Sequence, residues 1–230
     1  MFILASSNQQ KTYIMITNLG EKNSIFNEFI SEIRDAEMQK DRMRFRKNME
    51  RIGEVFAYEI SKTLEYQEKE ITSPLGISKI NNIKEQPVLA TIMRAGLPLH
   101  QGLLNFFDKA DNAFISAYRK HNKNGKFHIE LEYASCPKID GRVLILVDPM
   151  LATGASMALT YKTLLAFGKP SITHIVSAIA CTDGINFVKS QLSRQNVKLW
   201  VGAIDNELTA QSYIVPGLGD AGDLAYGVKN

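Results

Sequence analysis

The residues of this chain best suited to chemistry lie in Val143-Leu-Ile-Leu-Val-Asp148-Pro149-Met150-Leu151-Ala152-Thr153-Gly154-Ala155-Ser156. A run of branched apolar residues ends in an acid, and small and hydroxyl residues follow before a helical pattern begins. That order predicts a buried strand, a loop, and a helix whose N-terminus opens directly out of the loop. Backbone N–H groups converge at such a terminus, and its partial positive charge favours a phosphate. Thr153 and Ser156 add hydroxyl donors, and Gly154 lets the backbone come close to an anion. Asp148 would repel a phosphate, but its carboxylate can accept both hydroxyl hydrogens of a vicinal diol. Phosphate on one side and diol on the other describe a ribose 5-phosphate.

Other chemistries fit less well. There is no G-x-x-x-x-G-K-[ST], which argues against a Walker-type nucleotidase. A G-x-G-x-x-G does occur at Gly217-Leu-Gly219-Asp-Ala-Gly222, but the chain ends eight residues later, leaving no room for a dinucleotide-binding βαβ unit. Cys136 and Cys181 are far apart, without C-x-x-C or Cys/His spacing, so neither a disulfide framework nor a structural zinc site is expected. The net charge of +3 is too small to argue for a nucleic-acid partner. No window approaches the roughly 20 apolar residues of a membrane span. The opening Met1-Phe2-Ile3-Leu4-Ala5 turns polar at Ser6 and has no basic n-region, so no secretory signal is expected and the cytoplasm is the expected location.

The elements that must position the loop read as one α/β domain over residues 1–230, of which 45% are hydrophobic and 22% charged. Residues 1–35 are weakly patterned and read as an arm or subunit contact outside the core. From Asp35 to Leu64 the pattern is helical, with Phe45, Met49, Ile52, Phe56 and Ile60 on one face and a solvated face rich in Lys and Arg opposite. Strands are expected at Val88–Met93, Ala113–Tyr118, Arg142–Asp148, Ile172–Ala180 and Lys198–Ile204. Helices are expected at Leu97–Phe107, Ser156–Phe167 and Gly184–Leu192. Such alternation implies a mostly parallel sheet flanked by helices. Asn124-Gly125, between stretches of strand character, predicts an antiparallel flap over 119–134. Ligands of open α/β sheets sit beyond the C-terminal strand ends, which directs attention to Met93–Gly96, Tyr118–Lys126, Asp148–Ser156 and the residues just after Ile204.

At this point a resemblance becomes plain. Asp148 to Ser156 resembles the loop that binds phosphoribosyl pyrophosphate (PRPP) in type I phosphoribosyltransferases, in the form particular to uracil phosphoribosyltransferases. The single Asp before Pro-Met-Leu-Ala-Thr-Gly distinguishes it from relatives with two adjacent acids. Tyr213-Ile-Val-Pro-Gly-Leu-Gly-Asp220-Ala-Gly-Asp223 is similar to that family's uracil-binding segment, and Ile92-Met-Arg94-Ala-Gly96 to its pyrophosphate loop. Ala117-Tyr118-Arg119 falls where the family has a further PRPP-binding arginine. The likeness runs from about Arg44 to the C-terminus.

The resemblance implies the type I phosphoribosyltransferase fold, with residues 205–230 forming a C-terminal hood over the base. It implies transfer of the phosphoribosyl group to N1 of uracil, giving UMP and pyrophosphate. Asp148, Pro149, Met150, Leu151, Ala152, Thr153, Gly154, Ala155 and Ser156 would hold the ribose 5-phosphate part of PRPP, and Arg94 and Arg119 its pyrophosphate. Ile214, Gly219 and Ala221 would read uracil mainly through backbone groups, with Asp220 beside both the ribose and the reacting nitrogen. Asp220, Arg94 and Arg119 are thus the implied catalytic set. The family also implies Mg2+ held mainly by PRPP and water rather than by protein ligands, a homodimer or homotetramer, and GTP as an effector. The chain departs from the family at Ala155, usually Gly, where the loop then needs φ below zero. It departs also at Leu224, usually basic, and in the flap Lys120-His121-Asn122-Lys123-Asn124-Gly125-Lys126, more basic than the family pattern. A non-catalytic PRPP or nucleotide sensor on the same fold is the alternative; the retained base-reading tail and the lack of a spare domain favour the enzyme.

Overall fold

The computed structural model describes residues 14–121 and 127–228, with residues 117–121 and 127–132 described by their backbone. In chain order the elements are β1 (Met15–Asn18), α1 (Ile25–Arg34), α2 (Arg42–Ser61), β2 (Tyr66–Ser73), β3 (Gly76–Ile83), β4 (Val88–Met93), α3 (Leu97–Phe106), β5 (Asp111–His121) and β6 (Phe127–Ser135). They continue with β7 (Val143–Val147), β8 (Met150–Leu151), α4 (Ala155–Leu164), β9 (Ile172–Cys181), α5 (Thr182–Leu192), β10 (Val197–Asp205), β11 (Glu207–Leu208), β12 (Ile214–Val215) and α6 (Ala221–Tyr226).

The main sheet runs β1-β10-β9-β7-β4-β5-β6, with β8 also pairing with β9. Every pairing in it is parallel except β5 with β6. The mostly parallel sheet and the antiparallel hairpin agree with the expectation from sequence. Side chains alternate between two apolar layers, as the pleat requires. Along β7, Ile145 and Val147 enter the layer beneath α1, α2 and α3, while Leu144 and Leu146 enter the layer beneath α4 and α5. Both faces are covered, so the strand reads as an unbroken apolar run.

Of the stretch 1–35, the described part from Ile14 onward belongs to the sheet and core and is no arm outside them. β1 lies beside β10 at the sheet edge, and Phe26, Ile30 and Ile33 of α1 are core residues. Full burial of each such side chain contributes about 1.5–3 kcal/mol, which a free arm would forgo. The expected helix from Asp35 also starts later. Asp41 Oδ1 accepts from the N–H groups of Met43 and Arg44 at 2.9 and 3.0 Å, capping α2 at Arg42. β2 and β3 form a separate antiparallel hairpin that no sequence signal suggested; β2 is exposed along its whole length. Asn124-Gly125 and the centre of the basic flap lie outside the described residues, as do residues 1–13; β5 and β6 pair on either side, up to His121 with Phe127. Among the described residues, no helix is long and apolar enough to cross a membrane.

Candidate functional site

Adjacent parallel strands β4, β7, β9 and β10 deliver three chain segments to their C-terminal ends. The first is the loop after β7. The Asp148 N–H donates to the Val176 carbonyl at 3.1 Å and the Ile179 N–H to the Pro149 carbonyl at 3.0 Å, so β9 carries the chain onward after β7 stops. Met150 and Leu151, expected as loop, continue this pairing as β8. Gly154 then takes φ 77° and opens α4 with no side-chain cap. Beyond the Ala155 N–H, the first-turn N–H groups have no capping side chain and remain available to an anion. Thr153 Oγ1 accepts from the Ala155 N–H at 3.4 Å. The left-handed position is therefore Gly154, and Ala155 is the first helical residue, one earlier than expected. Ser156 is half-buried in the first turn.

A residue that sequence reasoning missed supports this loop. A Cβ on Gly184, in α5, would stand 2.3 Å from the Ala152 carbonyl oxygen, and one on Gly154 would stand 2.6 Å from that of Gly184. Each glycine lets the other segment approach.

The second segment is Met93–Gly96, between β4 and α3, which begins with a cis peptide between Met93 and Arg94. A Cβ on Gly96 would meet Thr91 Oγ1 at 2.3 Å and the Val147 carbonyl oxygen at 3.3 Å, so this loop lies against the end of β7. Arg94 is about one-third exposed. Its Nη2 donates to Asp223 Oδ1 at 2.9 Å and to the Gly227 carbonyl at 2.5 Å. Its buried Nε has no partner among the described residues. Arg119 falls on β5, where the backbone alone is described; its side chain lies outside the described residues.

The third segment is the tail after β10. β11 and β12 form a short antiparallel ribbon, and Ile214, Leu218, Ala221 and Ala225 pack into the α1–α3 layer of the core. Met150, Ala152 and Ala95 pack against the same cluster, which brings all three segments onto one apolar floor. Gly219 takes φ 92° and is exposed, with open space where a Cβ would stand. Asp220 caps α6, its Oδ1 accepting from the Asp223 N–H at 3.0 Å. A Cβ on Gly222 would lie 3.7 Å from Ala95 Cβ and 3.8 Å from Arg94 Nε, which places the first turn of α6 on the second segment. Arg46 of α2 donates to the Ala225 carbonyl at 2.7 Å. Cations from two elements thus hold the C-terminal carbonyls of α6, where its dipole favours them.

Two more residues went unnoticed in the sequence. Arg34 makes a two-pronged ion pair with Asp205, at 2.8 and 2.9 Å, at the root of the tail. Asp205 is the first of the residues after Ile204 to which the strand-end rule directed attention, but it was given no role there; Arg34 carried no such signal. A cavity of about 370 Å3 between α1 and the ends of β1 and β10 is lined by none of the candidate residues. Among the described residues, no cluster of three His, Cys, Asp or Glu side chains could hold a metal ion. Arginines and N–H groups at a helix N-terminus suit phosphate oxygens, which need no such cage.

Comparison with known proteins agrees with this geometry. The family model described as uracil phosphoribosyltransferase matches residues 21–228. A uracil phosphoribosyltransferase of Porphyromonas gingivalis is 50% identical over 214 residues, covering 93% of this chain and 99% of its own. One of Pyrococcus furiosus is 34% identical over 203 residues, covering 87% and 85%. A solved structure of an Aquifex aeolicus protein superposes with a TM-score of 0.82 at 28% identity, over 93% of this chain and 99% of that one. An adenine phosphoribosyltransferase of Trypanosoma brucei, with a TM-score of 0.54 at 11% identity over 89% and 88% of the two chains, shares the fold.

Proposed function

The chain belongs to the uracil phosphoribosyltransferase family, and from that premise we propose that it transfers the phosphoribosyl group of PRPP to N1 of uracil, giving UMP and pyrophosphate. The observation that carries this reading is the uncapped N-terminus of α4, which follows Asp148 at the end of β7 and shares an apolar floor with the tail. The 5-phosphate docks on the first-turn N–H groups of α4 and the hydroxyls of Thr153 and Ser156. The Asp148 carboxylate accepts from the ribose hydroxyls.

Displacement at C1 builds positive charge on the sugar and negative charge on the departing pyrophosphate. Positioning and electrostatics therefore supply most of the acceleration this chain can give. Arg94 and Arg119 take the pyrophosphate, because a guanidinium fork matches paired phosphate oxygens. Asp220 stands beside the ribose and N1, and backbone groups of Ile214, Gly219 and Ala221 read the base. Keeping water from the reacting centre would protect the sugar cation from capture. Magnesium bound to PRPP supplies further neutralisation of the diphosphate charge. Family resemblance supports, as parts of the same proposal, a homodimer or homotetramer, a response to GTP and a cytoplasmic location. The packed tail favours the enzyme over a non-catalytic sensor.

The test is incubation of the protein with PRPP, magnesium and each of uracil, cytosine, orotate, adenine, guanine and hypoxanthine, followed by chromatography of the nucleotides. UMP alone is expected. A different nucleotide, or none, would overturn the proposal.

A further inference from the structure

We propose that Arg34 and Asp205 form a positioning pair that sets the shape of the base-reading turn, and with it the affinity for uracil but not for PRPP. This rests on the function proposed above and deepens it. Asp205 ends β10 and is 8% exposed; Arg34 ends α1. Arg34 Nη1 donates to Asp205 Oδ2 at 2.8 Å and Nη2 to Oδ1 at 2.9 Å. Both partners then reach the same glycine. Asp205 Oδ2 also accepts from the Gly217 N–H at 2.9 Å, and Arg34 Nη1 also donates to the Gly217 carbonyl at 3.0 Å. One ion pair thus grips Gly217 by both of its backbone polar groups.

Gly217 is the tight point of the segment. It takes φ 54°, and a Cβ there would lie 2.2 Å from the Ile214 carbonyl oxygen. Ile214 stands three residues before it and Gly219 two residues after, and these are residues assigned to the base. A peptide group cannot rotate to recover a misplaced ligand, so a reader made of backbone depends on whatever fixes its curvature. A pair that only stapled α1 to the sheet would not need to bond Gly217 twice. The ribose 5-phosphate loop, by contrast, rests on β9 and Gly184; Asp205 meets those elements through its backbone, pairing with Cys181 and accepting from Thr182 Oγ1 at 3.4 Å, while its carboxylate bonds Arg34 and Gly217.

The experiment measures KM for uracil and for PRPP separately in Asp205→Asn, Arg34→Gln and the double variant Arg34→Gln/Asp205→Asn. Misplacement of reacting groups by about 1 Å costs on the order of a hundredfold. Each single variant is therefore expected to raise the uracil KM about tenfold or more and to leave the PRPP KM within about twofold. The double variant is expected to lose no more than the worse single one, because the two residues act as a unit. It also leaves no unpaired buried charge, so it remains measurable if a single variant fails to fold. An unmoved uracil KM in the double variant, or equal rises in both KM values, would reduce the pair to a structural staple and overturn the proposal. Wild-type protein run alongside separates the two ideas. If it makes no UMP, both fall; if it turns over while the variants keep their uracil KM, the positioning role alone falls.

Discussion

Arg94 and Asp223 stand 129 positions apart in the chain and meet at 2.9 Å. The guanidinium assigned to pyrophosphate thereby also holds the last turn of α6, the helix that Asp220 caps at its other end. In the proposed mechanism this one side chain would serve both substrates.

Arg94→Lys keeps the charge but loses the planar fork, so its single nitrogen cannot match paired phosphate oxygens bidentately while also holding the tail. The expected result is a PRPP KM raised about 10- to 100-fold, with inorganic pyrophosphate inhibiting correspondingly less, since each lost charge-assisted bond contributes about 1.5–3 kcal/mol. Steady-state kinetics with unchanged PRPP and pyrophosphate constants would remove Arg94 from the site.

Asp148→Asn tests the ribose contact. The amide retains the shape but loses an acceptor charge, so PRPP should bind roughly 10- to 200-fold more weakly while the fold survives. Calorimetry is the direct check, and full affinity would take Asp148 out of the site.

At the phosphate loop the two adjacent small residues should answer differently. Gly154→Ala forces a side chain into φ 77° and toward the Gly184 carbonyl 2.6 Å away, with no flexible neighbour to yield. The left-handed backbone alone costs about 1–2 kcal/mol for a residue with a Cβ, so PRPP affinity should fall about tenfold or more. Ala155→Gly asks nothing of a residue already helical, and should change the PRPP constant less than about threefold, under 1 kcal/mol. A tenfold gain from Ala155→Gly would mean that the natural alanine strains the site.

The loop was legible because its strand, acid, small residues and helix are contiguous in the sequence. The sheet was legible for a related reason: strands buried on both faces, such as Val143–Val147, stand out as apolar runs. Arg34 was not legible, because its partner lies 171 residues away and nothing local marks it. Tyr66–Ser73 escaped notice because it buries neither face, so no apolar alternation betrays a strand. The four residues of β1 are too few to carry a period.

Away from the site, acid should weaken the fold through His174. Its ring is fully buried, and Nδ1 accepts from Trp200 Nε1 at 2.9 Å, which fixes the neutral tautomer with hydrogen on Nε2. Burial pushes its pKa from the ordinary 6.5 down to about 4. Between those values the unfolded chain takes up a proton that the folded chain refuses, so stability is full above the upper value and falls as pH drops toward the lower one. The loss is about 3 kcal/mol, at 1.36 kcal/mol per unit. Urea unfolding at pH 7 and pH 4 should show this loss in wild type and not in His174→Gln. An equal pH dependence in both would mean that other groups carry it.

The most direct test of the base-reading tail is the ratio of kcat/KM for uracil and for cytosine at saturating PRPP and magnesium. Uracil presents acceptor, donor and acceptor along O2, N3–H and O4, where cytosine presents acceptor, acceptor and donor. If backbone groups of Ile214, Gly219 and Ala221 read the base, their polarity is fixed, and cytosine sets two mismatched pairs against them. Sites that hydrogen-bond their substrate can reject a mispaired analogue by about 10⁴-fold or more. A uracil preference of that order is the expected result, and comparable turnover of the two bases would contradict it.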